Sequence, residues 1–416
     1  MAHLGPLPVV GGVLGAMTEH SRQIDLERAA APVQKHPAAS PLDRAERDPE
    51  EGIALCLSGG GYRAMLFHLG ALWRLNETGH LHRLARVSSV SGGSIIAGVL
   101  ALNWEQLAFD DSGVAAGFDE QVVVPVRAMA GRTIDWQAIL RGMLLPGSAG
   151  GRLAAAYRKH LFGTTSLQQI PAHPEFVFNA TNLQSGALWR FSRPYMWDYR
   201  VGEVKSPTLE LAVAVAASSA FPPFLSPVVL DLADGAYEPG SGDKPGTSES
   251  LQCPPYTTRV VLADGGVYDN LGLETAWKRY TTVLVSDGGG HMGDQPKPRR
   301  IWPMQAYRVL GVIDNQVRSL RKRQLIDGYH AGLREGTYWG IRSDIGDYDL
   351  ASSLPCPFEA TKALAGISTR LAAIDQPAQE RLINWGYAIA DTAIRKWVAP
   401  DLQPPPGFPY PGVGVG

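Results

Sequence analysis

A serine in a glycine-flanked turn is the first residue of this sequence suited to covalent chemistry. Ser91 follows an apolar run and precedes Gly92 and Gly93 within the segment SVSGG at 89–93. This spacing resembles the nucleophile elbow G-x-S-x-G, in which a sharp strand-to-helix turn exposes the serine hydroxyl, although Ser89 stands where the first glycine is usual. The pattern predicts that Ser91 is a nucleophile for acyl transfer.

A second glycine-rich segment could stabilise negative charge. An apolar run is followed by Gly59, Gly60 and Gly61, then by Arg63 and a helical pattern. Glycines let the backbone approach a ligand closely, and the amides at a helix N-terminus favour anions. The segment therefore predicts a cradle for a phosphate or for the oxyanion of a tetrahedral intermediate. A tight structural turn is the plainer alternative.

An aspartate completes the set of reactive residues. Asp264 follows the apolar run RVVLA and begins the segment DGGVYDN at 264–270. A carboxylate within hydrogen-bond reach can accept the proton of a serine hydroxyl, and α/β sheets bind ligands at strand ends. Two other aspartates compete: Asp287 heads the fuller glycine run DGGG, and Asp234 precedes a single glycine. The residues that follow Asp264, up to Asn270, favour it over the other two aspartates.

Hydrophobic periodicity predicts the elements that would position these residues. Residues 52–57 and 85–90 are short apolar runs typical of strands, and each is followed by a glycine turn and a helical pattern, at 63–78 and 94–102. Two strand–turn–helix units in about fifty residues predict an α/β fold with a mostly parallel sheet.

The chain is expected to have three parts. Residues 1–50 form an N-terminal extension, and residues 51–400 form the main α/β domain with a helical insertion at about 104–162. Residues 401–416 are a Pro/Gly-rich tail, expected to be disordered or polyproline II-like. Within the main domain, residues 302–329 predict a long helix rich in arginine.

Composition limits the classes of partner. The 416 residues are 45% hydrophobic and carry a formal net charge of −2, which is typical of a globular domain and indicates no DNA or RNA partner. Three cysteines without metal-ligand spacing predict neither a disulfide framework nor a metal site, and no cofactor is expected. The N-terminus lacks a basic secretory leader, and prolines interrupt the uncharged run 211–230. A cytoplasmic protein, at most peripheral at the inner membrane surface, is therefore expected.

Together the three motifs resemble those of the patatin-like phospholipase family. The matching segments, in the family's order, are GGGYR at 59–63, SVSGG at 89–93, FNATNLQSG at 178–186, ASSAFPPFLSP at 217–227 and DGGVYDN at 264–270. The resemblance covers roughly residues 52–290. It implies a three-layer α/β fold whose central, mostly parallel sheet is flanked by helices.

The resemblance also implies a chemistry. Ser91 and Asp264 would form a Ser–Asp dyad that cleaves carboxylic ester bonds of phospholipids or other lipids through an acyl-enzyme. The glycines at 59–61 would form the oxyanion hole, and Arg63 would support the loop or the charge. The expected partners are a lipid ester substrate and, peripherally, a membrane.

Two other functions are open at this level. A Ser–His–Asp esterase would need a histidine downstream, and His291, directly after DGGG, is the candidate. A non-hydrolytic nucleotide-binding module could use the glycine loop, although this loop lacks the G-K-[ST] ending of a P-loop.

A regulatory role is a further hypothesis. Some bacterial members of the family degrade membrane phospholipid in anti-phage defence when a nucleotide signal activates them. The basic cluster of Arg318, Arg321, Lys322 and Arg323 could meet lipid headgroups or the phosphates of a cyclic nucleotide activator. A solvated helix face is the plainer interpretation of this cluster.

Overall fold

An eleven-stranded sheet is the centre of the structure. The computed structural model describes residues 48–134, 149–222, 225–233, 235–239, 250–290, 293–298 and 301–416. The strands are β1 (Glu50–Leu57), β2 (Leu84–Ser89), β3 (Glu175–Asn182), β4 (Leu188–Phe191), β5 (Tyr195–Asp198), β6 (Gly202–Lys205), β7 (Val228–Asp231), β8 (Glu238–Pro239), β9 (Arg259–Asp264), β10 (Tyr280–Asp287) and β11 (Glu335–Gly340). The α-helices are α1 (Gly61–Glu77), α2 (Gly92–Asn103), α3 (Val124–Ala130), α4 (Ala149–Tyr157), α5 (Leu211–Ser218), α6 (Gly266–Asp269), α7 (Glu274–Trp277), α8 (Trp302–His330), α9 (Phe358–Ala365) and α10 (Gln376–Trp397).

The sheet has a parallel half and an antiparallel half. Five neighbouring strands, in the order β11-β10-β1-β2-β3, are parallel, and both predicted strand–turn–helix units, β1–α1 and β2–α2, lie among them. Beyond β3 the sheet continues through β4, β5, β6 and β8 in antiparallel pairs. The predicted mostly parallel order therefore describes one half of the sheet. The other half is antiparallel because short connections between β3 and β6 leave no room for crossover helices.

Side chains of β1 are buried on both faces of the sheet. Leu55 and Leu57 belong to the larger apolar core, which includes residues of α1, α2 and α10. Ala54 and Cys56 belong to a second core on the other face, which includes Leu325 of α8. A strand covered on both faces is apolar throughout, as the run GIALCL is. The predicted three-layer α/β fold, a sheet flanked by helices, is confirmed.

Two strands meet end to end along one edge of β3. β2 pairs with the first half of β3 in parallel, and its last residue, Ser89, is opposite Phe178. β9 pairs with the second half of the same edge in the antiparallel sense, and its last residue, Asp264, is opposite Ala180. Because the two strands run toward each other along β3, the turns that follow β2 and β9 are brought together.

The C-terminal tail is ordered, contrary to the expectation of disorder or polyproline II structure. The side-chain amide of Asn384 donates to the carbonyls of Tyr410 and Gly414, at 2.8 and 2.6 Å, and Arg74 donates to the carbonyl of Gln403 at 2.8 Å. Polar side chains of α1 and α10 thus satisfy backbone groups of the tail. Proline and glycine content alone could not reveal these partners.

Several expectations fall on residues outside the described ranges: most of the N-terminal extension, residues 135–148 of the helical insertion, Asp234 and His291. Within those ranges, the uncharged run beginning at Leu211 is the buried helix α5 followed by a turn. No helix in the described parts of the chain combines the length and apolar character needed to cross a bilayer. The three cysteines are free, and Cys56 is buried.

Candidate active site

Ser91 lies at the strained apex of the turn between β2 and α2. Its backbone has φ 52° and ψ −118°, a region that residues with a Cβ rarely adopt and that clusters at functional sites. A Cβ at Gly92 would lie 2.2 Å from the carbonyl oxygen of Gly61, and one at Gly93 would lie 2.3 Å from that of Leu57. The two glycines of the predicted elbow are therefore needed because the turn packs directly against the glycine loop.

Ser89, which replaces the usual first glycine, fits beneath the elbow. It is fully buried. Its hydroxyl donates to the carbonyl of Val177 at 3.2 Å and accepts from Ser94 Oγ at 3.0 Å. The departure from the family pattern is thus accommodated by two hydrogen bonds.

The segment at 217–227 holds the elbow from the opposite side. The amide of Ser91 donates to Ser218 Oγ at 3.1 Å, and Ser219 Oγ donates to the carbonyl of Ser91 at 3.3 Å. These contacts fix the peptide groups on both sides of the Ser91 side chain. From the sequence, this segment was assigned only by its resemblance to the family. The signal for its role was a pair of adjacent serines at the end of an otherwise apolar helix.

Asp264 is buried beside Ser91. Its side chain accepts the Gly266 amide at 2.7 Å, and the Ser91 side chain lies close enough to lower its pKa through hydrogen bonding. Burial disfavours the charged carboxylate and raises the pKa of Asp264 to about 7, although both hydrogen bonds act in the opposite direction; the charge of Asp314 adds to the increase. A carboxylate with this pKa can take up and release a proton near neutral pH.

Asp287, the competing aspartate, is held in a different environment. Its carboxylate accepts from Arg318 at 3.1 and 3.2 Å, from the Tyr338 hydroxyl at 2.9 Å and from the Gly289 amide at 2.9 Å. Burial alone would raise the pKa of Asp287, but the Arg318 charge and the hydrogen bonds lower it to about 2. Asp287 is therefore a structural anchor that stays charged at neutral pH, and it makes no described contact with Ser91.

The glycine loop presents amides toward the elbow. Gly60 and Gly61 have φ of 147° and 60°, which glycine adopts without the clash that a Cβ would cause. The amide of Gly59 donates to the carbonyl of Asn270 at 3.0 Å and so joins the loop to the segment 264–270. Among the described residues, no protein acceptor takes the amide hydrogens of Gly60, Gly61 or Gly92. Gly92 was not predicted as a donor; its place directly after the nucleophile was the available signal.

Arg63 holds the glycine loop in place. Its guanidinium donates to the carbonyls of Ala365, Ile367 and Gly288 at 2.7, 2.8 and 2.9 Å. Burial lowers the pKa of Arg63 to about 10, so the side chain stays charged at neutral pH. Its hydrogen bonds give it a positioning role, with its positive charge beneath the loop.

The described histidines lie elsewhere. His68 is buried, with Nδ1 2.7 Å from Ser286 Oγ and Nε2 2.9 Å from the carbonyl oxygen of Ser58, and burial lowers its pKa to about 4. In the parts of the chain that the structure describes, no histidine forms a hydrogen bond with Ser91 or Asp264. The candidate triad residue His291 is outside those parts.

A family model of known proteins covers the segments that contain these motifs. A family model described as patatin-like phospholipase matches residues 55–277, more than half of the chain. A search of curated proteins found no significant match. Among solved structures, human GIVD cytosolic phospholipase A2 in complex with methyl gamma-linolenyl fluorophosphonate is similar with 14% identity and a TM-score of 0.48, over 85% of this chain and 60% of that chain. VipD from Legionella pneumophila is similar with 15% identity and a TM-score of 0.31, over 82% of this chain and 66% of that chain. The chain thus spans less than two thirds of the length of these structures.

Proposed function

The chain belongs to the patatin-like phospholipase family, and from that membership we propose that it hydrolyses acyl ester bonds of phospholipids or related lipids through Ser91 and Asp264. One observation carries the proposal: the side chain of a serine at a strained elbow interacts with a buried aspartate whose pKa is raised to about 7. A nucleophile and a base side by side, next to backbone amides that no described protein acceptor takes, are the parts that acyl transfer needs.

In the first half-reaction, Ser91 Oγ attacks the acyl carbonyl carbon while its proton passes to the Asp264 carboxylate. The carbonyl oxygen becomes an oxyanion and accepts hydrogen bonds from the amides of Gly60 and Gly61, to which Gly92 adds a third donor. The intermediate collapses as Asp264 returns the proton to the leaving alcohol. The products are the free alcohol, a lysophospholipid for a phospholipid substrate, and an acyl ester on Ser91.

In the second half-reaction, water replaces the alcohol. Asp264 accepts a proton from the water as its oxygen attacks the acyl-Ser91 carbonyl, and the same amides stabilise the second oxyanion. Collapse releases the fatty acid, and the proton held by Asp264 returns to Ser91 Oγ. One carboxylate thus serves as base and acid in both halves, for which a pKa near the working pH is suited.

A long-chain fluorophosphonate tests the assignment of nucleophile and substrate class together. The Ser91 hydroxyl is expected to displace fluoride and form a stable phosphonyl ester, because the oxyanion cradle also fits the tetrahedral phosphonate. Mass spectrometry of the digested protein should find the adduct on the peptide containing Ser91. Release of fatty acid from phosphatidylcholine vesicles should fall in step with labelling. An adduct on another serine, or full activity after complete labelling, would contradict the proposal.

The pKa of Asp264 predicts the pH dependence. Since the base must be deprotonated, kcat/KM on a soluble short-chain ester is expected to fall about tenfold for each pH unit below roughly 7 and to level off above it. Rates measured between pH 5 and 9 check this expectation. His291→Ala is the control, because a histidine base would also titrate in this range; the profile should persist in that variant. A profile that is flat down to pH 5 would rule out Asp264 as the base.

Activation by a cyclic nucleotide in anti-phage defence stays a prediction. Of the basic residues named for phosphate binding, Arg318 pairs with Asp287 at 3.1 Å, and Arg321 lies 3.4 Å from Glu274. Both cations already have acidic partners, which weakens the support for a phosphate site at this cluster. Adding cyclic dinucleotides to the ester assay tests activation directly.

A further inference from the structure

The long helix α8 carries an apolar stripe on the face that points away from the protein. Apolar side chains recur every three or four residues, at Trp302, Ala306, Leu310, Ile313, Val317 and Leu320; these six residues are called the outer stripe. A surface helix ordinarily turns such a stripe toward the core. Here Trp302 is 76% exposed, Leu310 63% and Leu320 55%, and further apolar residues beside the stripe are exposed as well, so the N-terminal part of α8 presents apolar side chains to solvent.

The opposite side of α8 is tied by ion pairs to segments next to the candidate active site. Arg318 pairs with Asp287 at 3.1 Å, at the start of the loop that contacts Gly60. Arg321 Nε lies 3.7 Å from Asp269, in the segment that begins with Asp264. Because Asp287 ends β10 and Asp269 is buried in α6, these ion pairs hold α8 beside the site and keep the outer stripe facing outward.

Exposed apolar side chains also lie next to the catalytic residues. Val267, three residues after Asp264, is 51% exposed, and Phe221 is 50% exposed. Phe221 directly follows Ala220, whose carbonyl accepts the amide of Asp264 at 2.9 Å. Clustered exposed apolar residues on a water-soluble surface mark a site of interaction. Here they lie at the residues where the scissile ester would have to arrive.

The charge of α8 favours an anionic surface. Between Trp302 and His330 the helix carries five basic and two acidic side chains. Two of the basic residues pair with buried carboxylates, and the Lys322 ammonium lies 4.3 Å from the centre of the Tyr338 ring, whereas Arg323 is exposed. An apolar helix face on a helix with a net excess of positive charge is the pattern of helices that lie in the lipid interface, where cations meet anionic headgroups.

The same spacing would suit a seam between two helices, but its length argues against one. From Ala306 to Leu320 the stripe covers about two heptads, whereas a sustained coiled coil uses at least three or four. The exposed apolar residues at the catalytic site, Phe221 and Val267, would also lie outside such a seam. A lipid surface accounts for both groups of residues.

We propose that the outer stripe of α8 docks on the surface of a phospholipid bilayer and seats the catalytic site against its substrate. The proposal rests on the proposed lipid hydrolysis for its purpose. It assigns a role to a helix beyond residues 55–277, where the family match ends.

Docking is measured by vesicle flotation with the full-length chain carrying Ser91→Ala, so that the lipid stays intact. The vesicles contain phosphatidylcholine and phosphatidylglycerol. Replacing Leu310, Ile313 and Leu320 together by Gln is expected to weaken vesicle binding roughly tenfold or more, because three side chains lose their burial in lipid. Gln preserves helix propensity, and the three side chains are exposed, so folding should be retained.

The matched control replaces three exposed apolar residues outside α8, Val124, Phe358 and Trp397, by Gln; it should bind vesicles like the parent. With Ser91 intact, the stripe variant should lose vesicle hydrolysis far more than hydrolysis of a soluble ester. Unchanged vesicle binding by the stripe variant would overturn the proposal. If unchanged binding came with a shift from dimer to monomer in sedimentation, the stripe would instead be the contact surface for a second copy of the chain.

The two proposals fail in different ways. If the wild-type chain hydrolyses no ester but the stripe variant still loses vesicle binding, the proposed function is wrong and docking stands. If the wild-type chain hydrolyses vesicle lipid and the stripe variant binds and hydrolyses as well as the wild type, docking by α8 is wrong and the proposed function stands.

Discussion

Ser91→Ala is expected to abolish fatty-acid release from phospholipid vesicles, with a loss of at least about 10³-fold, while the protein stays folded. Removal of Oγ leaves no atom to form the acyl-enzyme, and only binding and the backbone amides would contribute to the remaining rate. The backbone contacts that hold the elbow, from Ser218 and Ser219, do not involve the deleted hydroxyl. Fatty-acid release and thermal unfolding measured on the same preparation check both expectations.

The control for this variant is Ser192→Ala. Ser192 is a buried serine that lies directly after β4, and its hydroxyl donates to Glu175 at 3.4 Å. It should retain activity on vesicles and on a soluble ester. If Ser91→Ala instead kept near-normal turnover, the elbow would be structural and another nucleophile would have to be found.

Asp264→Asn is expected to lose activity on a similar scale and, at the same time, to gain stability above neutral pH. An amide cannot accept the serine proton, so turnover should fall by about 10³-fold or more. The stability effect has the opposite sign because the wild-type carboxylate is buried and charged at high pH. A neutral side chain of the same shape removes that cost.

The pH window follows from the pKa shift. The pKa of Asp264 is about 7 in the folded protein against 3.8 for the unperturbed group, so the folded state binds the proton more tightly. Wild-type stability should therefore decrease as pH rises from about 4 to 7 and then level off. At one pKa unit per roughly 1.4 kcal/mol, Asp264→Asn should be more stable than wild type by on the order of 2–4 kcal/mol at pH 8, and by little at pH 4.

The buried aspartate Asp287 provides the opposite case. Its pKa is lowered to about 2, so its ionised form stabilises the folded state above about pH 4, and this contribution is lost as pH falls toward 2. Asp287→Asn should thus reduce stability at neutral pH by leaving Arg318 without its partner. Denaturant unfolding of both variants at pH 4 and pH 8 would show the contrast. The same pH dependence in Asp264→Asn and wild type would contradict the raised pKa of Asp264.

The motifs and the units around them could be predicted from the sequence because their signals are local. A glycine run after an apolar strand needs only its neighbours to define a turn, and so both strand–turn–helix units were found. The long helix α8 was likewise predicted close to its bounds, since its length and periodicity lie within one segment. The match to Asp264 came from the residues that follow it, not from its burial or its partners.

What could not be predicted depends on residues distant in the chain. Asp264 and Asp287 both end an apolar strand and precede glycines, and only tertiary contacts separate them: Arg318, 31 residues away, keeps Asp287 charged, whereas Asp264 is buried without a cation. The same holds for the ordered tail, whose partner Asn384 is 26 residues from Tyr410. Composition describes a segment but not the side chains that bind it.

The sequence by itself determined which chemical groups are present and the order in which the chain supplies them: glycine loop, serine elbow, aspartate turn. The tertiary structure decided how they meet. β2 and β9 run toward each other along one edge of β3, with Ser89 opposite Phe178 and Asp264 opposite Ala180. Strand register depends on pairing between segments far apart in sequence, which local spacing does not encode. The outward direction of the apolar stripe on α8 has the same origin, because Arg318 and Arg321 on the other side of the helix find their carboxylates in Asp287, at the end of β10, and Asp269, in α6.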